Sequence, residues 1–294
     1  MKEVSAMATM FPALHVGQGT HVLGLSLFPV WVDSPALHDV AIGGRPGVTA
    51  TEREGSPVVG ELVVTNEHSS PVVLLEGEML EGGWQNRTVV RSVLLASGER
   101  RVVEVCCVEQ GRWGGGAVHR GAARRVAPSV IGSLRHTGGA RQGSVWNRVQ
   151  RYEPVLGATA TGSIGDHLDR VAADPRLAAF RPLDGQRGVV VGIMGVPVTL
   201  ELFPSPEALV AQWPSLVLAA ALDARLGQPI RTTGSAARRF AERVQRTNAT
   251  RIVDGVAFRV ASERPGVSIR GLGLGRSLVH AQALNSAHPL LVGA

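Results

Sequence analysis

The sequence predicts an α+β protein: an N-terminal antiparallel β-rich unit followed by a mixed α/β part with two amphipathic helices. Three observations lead there. From Val58 to Val108, short Val- and Leu-rich runs alternate with turn residues, and short connections between successive strands favour an antiparallel meander. Beyond Gly188 two apolar stripes at helical spacing sit among further β-type runs. Across 294 residues, 44% are hydrophobic, enough to bury a core. The units expected are a β-rich unit over 1–110, a Gly- and Arg-rich excursion over 111–143, and an α+β part over 144–294. The first and last are expected to pack as one body.

Along the chain, His21 to Trp31 alternates as a strand, and turns are signalled at Gly43-Gly44 and Pro46-Gly47. Strands are predicted over Val58–Thr65, Val72–Leu75, Thr88–Leu95 and Arg101–Val108. They are bounded by Asn66 to Pro71, Gly82-Gly83 and Ser97-Gly98. Gly111 to Gly143 shows little periodicity and reads as a long, partly mobile loop, of the kind that is functional or disordered. Ser144 to Arg151 reads as a short helix with Val145, Trp146 and Val149 on one face. Gly195 turns a hairpin between Gly188–Met194 and Val196–Phe203. Ser205-Pro206-Glu207 opens a helix that Gly227 ends. Ser235 opens a second, which buries Ala237, Phe240, Ala241 and Val244. Val256–Ala261, Val267–Leu272 and Leu278–Leu284 follow as strands.

Composition narrows the function classes. No apolar run approaches the ~18 residues a membrane span needs, and no apolar leader follows Lys2, so a cytoplasmic protein without a membrane partner is expected. Cys106 and Cys107 are neighbours; a disulfide scaffold and a Cys-rich zinc site are excluded. Lys2 is the only lysine among 30 basic residues, the mark of an Arg-biased chain, so the net +6 says little by itself. Its distribution says more. Residues 1–109 hold 7 basic and 13 acidic side chains, whereas 110–152 hold eight Arg and no acid.

The polar signature lies between these regions. It comprises Glu76-Gly77-Glu78, Glu81-Gly82-Gly83-Trp84-Gln85-Asn86-Arg87 and Val108-Glu109-Gln110-Gly111-Arg112-Trp113. In these residues the chain resembles the bacterial domain family associated with ADP-ribosylglycohydrolases and rhodanese-type phosphatases. Gln142-Gly143-Ser144-Val145-Trp146, Leu202-Phe203 with Trp213, and Val279-His280-Ala281 fit the same family, so the resemblance covers most of the chain. Trp84 departs from it, standing where a small or basic residue is expected. The resemblance implies genomic company with enzymes of NAD, ADP-ribose and phosphate-ester metabolism. It implies no particular reaction or cofactor.

Each constellation has a chemical and a structural reading. Glu76 and Glu78 share a face if the strand continues. With Glu109 they could divide acid and base roles, or hold Mg²⁺ or Ca²⁺ through oxygen; alternatively they are a hydrated turn and caps. Gln85, Asn86 and Arg87 offer amides and a planar fork suited to sugar or phosphate; alternatively they form a buried network. Arg112 and Trp113 could stack and grip a base or a phosphate, or pair with Glu109 and seal the core edge. Cys107 reads as a buried thiol rather than a nucleophile served by His119 or His280. His280 reads as structural.

The expected function is binding or processing of a small phosphorylated ligand, such as ADP-ribose or a related nucleotide. Glu76, Glu78 and Glu109 would do the chemistry, and Gln85, Asn86, Arg87, Arg112 and Trp113 the binding. Two other classes stand beside it. One is a non-catalytic module in which the Arg-rich segment takes nucleic acid or an ADP-ribosylated partner. The other is a structural or oligomerisation protein.

Overall fold

Aliphatic runs cut by glycine turns carry more of the chain into strand than into helix, 37% against 25%. The computed structural model describes residues 4–5, 11–43, 47–54, 58–136, 140–254 and 256–292. The expected succession of a β unit and an α/β part is overturned. The chain forms two units, each assembled from separated segments. One draws on 1–38, 176–213 and 227–292, the other on 39–175 and 214–226. Helices are not gathered in one C-terminal part, because strands from both ends of the chain enter the same sheet.

The first unit is a ten-stranded sheet in which every pairing is antiparallel. The hairpin Gly188–Ile193 and Val196–Leu202 turns at Gly195, as expected. It joins Leu25–Asp33 on one side and Ser277–Leu284 on the other. The helix Gly234–Arg246 covers one face. Its cap is Thr233, whose hydroxyl accepts from Ala236 N–H, two residues before the expected Ser235. Ala237, Phe240, Ala241 and Val244 fall on one stripe and pack on Phe28, Val30, Val190 and Leu200.

In the second unit six strands close a barrel: Arg87–Val89, Arg100–Cys107, Glu61–Asn66, Val48–Thr51, Val118–Arg125 and Glu78–Gly82. The strand Val118–Arg125 and the helix Pro128–Leu134 come from the stretch expected as a loose excursion, and the helix expected over Ser144–Arg151 forms as Ala140–Gln150, starting within that stretch. Its glycines hid a strand with an irregular register between Gly121 and Arg125. Closure leaves this barrel no free edge. The predicted strand Thr88–Leu95 is divided: Arg87–Val89 stays in the barrel, while Val93–Leu95 joins Val72–Leu74 and Ala41–Ile42 in a small sheet. Val48, Ala50, Leu62, Val64, Leu80 and Val89 are among the residues of the barrel core. The turn residues Gly44 to Pro46, and Thr137 to Gly139 of the excursion, lie outside the described residues.

The helix Pro206–Ala224 begins in the first unit and ends in the second. Its start is as expected, with Ser205 Oγ accepting from Ala208 N–H at 3.2 Å. At its far end Asp223, fully buried, accepts from Ser129 N–H, Ser129 Oγ and Tyr152 Oη at 2.8, 2.6 and 2.7 Å. Among the described residues no helix is long and apolar enough to cross a membrane.

Candidate functional site

The two halves of the signature meet, as expected, and the meeting is a latch. Gly82 and Gly83 take φ of +105° and +55°, a backbone glycine adopts at little cost. The resulting turn lets Asn86 Oδ1 accept from Gly82 N–H at 3.0 Å. Asn86 N–H in turn donates to Glu109 Oε2 at 3.0 Å. Arg112 spreads its fork across the same turn. It bonds Glu109 through Nε at 2.9 Å, with Nη2 at 2.7 Å, and it reaches the carbonyls of Gly82 and Gly83 and Asn86 Oδ1. Thr161 Oγ1 donates to the other Glu109 oxygen at 2.8 Å. Burial pushes the Glu109 carboxyl up, but its bonds to Arg112, Asn86 N–H and Thr161 prevail and hold it below the usual carboxylate range. Both side chains expected to act on a ligand are thus engaged in shaping the turn. Trp113 is exposed, so it does not seal the core edge.

Behind the latch, inside the barrel, lies a second cluster. Arg87 sits on the same strand face as Val89, and Glu52 continues the inward face of Val48 and Ala50. His119 points inward between the exposed Val118 and Arg120. All three side chains are buried. Gln85 ties Arg87 and His119 together. Its Oε1 accepts from Arg87 Nη1 at 2.6 Å, its Nε2 donates to the Glu109 carbonyl at 3.0 Å, and its own carbonyl meets His119 Nε2 at 3.0 Å. A carbonyl only accepts, so Nε2 carries the proton and Nδ1 presents a lone pair. Glu52 Oε1 stands 3.8 Å from His119 Nε2 and 4.0 Å from Arg87 Nη2. Glu52 Oε1, Arg87 Nε and His119 Nδ1 are buried without a hydrogen-bond partner among the described residues.

Burial sets the protonation states here. It raises the Glu52 carboxyl, against the pull of Arg87. It pushes His119 down to about 4, with Arg87 and Arg112 adding to the effect and the bond to the Gln85 carbonyl opposing it. Because the folded pKa lies below the unfolded one, the fold favours the neutral ring. That stabilisation is complete above about pH 6.5 and is lost as pH falls toward 4. The loss is on the order of 3 kcal/mol, at roughly 1.4 kcal/mol per pKa unit. Glu52 works with the opposite sign, so the comparison of wild type with His119→Gln isolates the histidine. Urea denaturation from pH 7 to 4 is expected to show a falling stability that the variant lacks. Parallel curves in that window would refute the assignment.

The other sequence candidates are held apart. Glu76 is buried against Arg135 at 2.9 Å. Glu78 accepts from Leu75 N–H at 2.9 Å. With Glu109 in the latch, the three carboxylates have separate partners. Among the described residues no group of three or more His, Cys, Asp or Glu could hold a metal ion, so the expected Mg²⁺ or Ca²⁺ site on these residues is not formed. Glu81 lies 3.6 Å from Arg124, and burial raises its pKa. Both cysteines are buried and free. Burial pushes Cys106 up to about 12 and raises Cys107, whose thiol donates to the Glu109 carbonyl at 2.9 Å. Neither is a ready nucleophile. His280 pairs with Glu201 at 2.8 Å inside the first unit. In the Arg-rich segment, Arg112, Arg124, Arg135 and Arg141 pair with Glu109, with Glu81 and Asp169, with Glu76 and with Glu104.

Sequence reasoning missed Glu52 as a site residue and considered His119 only as a base for Cys107. The usable signals were weak: an inward alternation of Val48, Ala50 and Glu52, and an isolated His between outward residues. Residues 13–284 match the family model described as the ARG and Rhodanese-Phosphatase-superfamily-associated Protein domain. No curated protein and no solved structure matches the chain.

Proposed function

The chain belongs to the ARG and Rhodanese-Phosphatase-superfamily-associated Protein family, and on that premise we propose that its barrel binds a small phosphorylated ligand of the ADP-ribose or related nucleotide class. The site is the cluster of Glu52, Gln85, Arg87 and His119, in a cytoplasmic protein. One observation carries the reading. Three charged or titratable side chains converge with Glu52 Oε1, Arg87 Nε and His119 Nδ1 all unbonded among the described residues. Each such atom costs about 1–3 kcal/mol, and a ligand's oxygens and hydroxyls would satisfy them together.

The residues suit the roles. Arg87 is a planar fork for phosphate or ribose oxygens. His119 Nδ1 can take a proton, and Glu52, held up by burial, can give one. Processing of the bound ligand would use that pair, while Glu109 and Arg112 hold the turn that frames it. The family's association with ADP-ribosylglycohydrolases favours the same ligand class. The ion pairing of the Arg-rich segment weighs against a nucleic-acid surface there, since four of its eight arginines, Arg112, Arg124, Arg135 and Arg141, are paired within the protein.

Calorimetric titration of the full chain with ADP-ribose, ribose 5-phosphate and adenosine tests this. A phosphorylated compound is expected to bind at one saturable site and adenosine not to. Glu52→Gln, close to isosteric, is expected to weaken binding at least tenfold with the fold intact. No saturable binding of either phosphorylated compound, or unchanged binding by the folded variant, would sink the proposal.

A further inference from the structure

The first unit contains a partly open cavity of about 300 Å³ that plays no part in the barrel reading. Phe11, Leu202, Phe203 and Phe258 make much of an apolar wall, and Arg187 and Arg276 are its charged lining residues; among the described residues no acidic side chain lines it. Arg187 is the telling group. It is 7% exposed, and its cation is met by oxygens of neutral groups: the Ser34 carbonyl at 2.6 Å, Ser34 Oγ at 3.3 Å and the Phe203 carbonyl at 3.4 Å. Nη2 makes no hydrogen bond and the side chain no ion pair among the described residues. Burial alone lowers its pKa, with no neighbouring charge contributing. A buried cation without a counter-charge is costly, and none of the acidic side chains among the described residues lies on this wall. Arg276, exposed in the turn between Val267–Leu274 and Ser277–Leu284, adds a second positive charge.

We propose that this cavity binds a compact apolar carboxylate. The carboxylate supplies the missing charge and accepts from the Arg187 fork, the arrangement that guanidinium geometry favours. The hydrocarbon body occupies the apolar wall. Its size follows from the volume, roughly ten water volumes at ~30 Å³ each, which suits an acid on the scale of 3-phenylpropanoate or octanoate. A few placed polar groups in a mainly apolar cavity is the usual make-up of a small-molecule site.

The test uses the full chain and four probes: 3-phenylpropanoate, octanoate, the neutral 3-phenylpropanol and inorganic phosphate. Binding is followed by calorimetry, with circular dichroism as the check on folding. One of the acids is expected to saturate a single site, with the alcohol and phosphate each at least tenfold weaker. Arg187→Met is expected to lower acid affinity at least thirtyfold and Arg276→Ala a few-fold. Leu278→Trp fills the cavity while keeping Arg187, so it keeps the proposal testable if Arg187→Met does not fold; it is expected to abolish binding. Equal binding of acid and alcohol, undiminished binding by a folded Arg187→Met or Leu278→Trp protein, or no saturable binding of either acid would overturn the proposal.

Discussion

Replacing Gly83 by alanine is expected to destabilise the protein by about 2–6 kcal/mol. Two costs add. Gly83 has φ of +55°, where a side chain costs about 1–3 kcal/mol. A Cβ there would also fall onto the imidazole of His119. That ring is fully buried and held by its bond to the Gln85 carbonyl, so it has nowhere to move, and overpacking costs about 1–3 kcal/mol more. Chemical denaturation of Gly83→Ala, His119→Ala and the double variant separates the terms. Removing the ring removes the clash, so the double variant should recover at least half of the loss from Gly83→Ala. Strict additivity, or a Gly83→Ala protein within about 1 kcal/mol of wild type, would mean that the turn does not press on the histidine.

Asp223→Ala is expected to cost a similar amount, about 3–5 kcal/mol, for a different reason. The carboxylate is the common acceptor of three buried donors, Ser129 N–H, Ser129 Oγ and Tyr152 Oη. Burial and the charge of Asp223 together raise the Tyr152 phenol well above its ordinary range, which keeps it a donor. Alanine leaves Ser129 N–H without this acceptor and leaves Ser129 Oγ and Tyr152 Oη, 3.2 Å apart, to share one bond between two donors. Tyr152→Phe, by contrast, removes one donor and is expected to cost only about 1 kcal/mol. Urea denaturation of the two variants should show that ratio. Equal costs would shift the weight of the network from the carboxylate to the phenol.

Both predictions rest on features of unequal legibility. Gly82-Gly83 was readable as a turn, because glycine at a break between apolar runs has a local meaning. That a histidine packs on Gly83 was not readable, since His119 arrives from a strand more than thirty residues on. The helix carrying Asp223 was readable from Ser205, Pro206 and its apolar stripe. Its buried acceptor was not, because an Asp near a helix end is usually solvated. The carboxylates chosen for chemistry were chosen for their pattern. The structure spends Glu76 on Arg135, Glu78 on a backbone N–H and Glu109 on Arg112, each a satisfied buried acid. Glu52, with one oxygen unsatisfied among the described residues, had only the weak alternation of Val48 and Ala50 to mark it.

By itself, the sequence determined the strands between Val58 and Val108 in outline, the hairpin at Gly195, the presence of the helices Pro206–Ala224 and Gly234–Arg246, of which only the second is amphipathic, and the meeting of residues 76–87 with 107–113. All of these follow from period, caps and turns, which act within a few residues. Only the tertiary structure decided that Val118–Arg125 closes a barrel, that strands from both ends of the chain share one sheet, and that Glu52, Arg87 and His119 face one another with open valences. The reason is physical. Which strand pairs with which, and whether a buried polar atom finds a partner, depend on contacts between residues far apart in the chain, and no local periodicity encodes those.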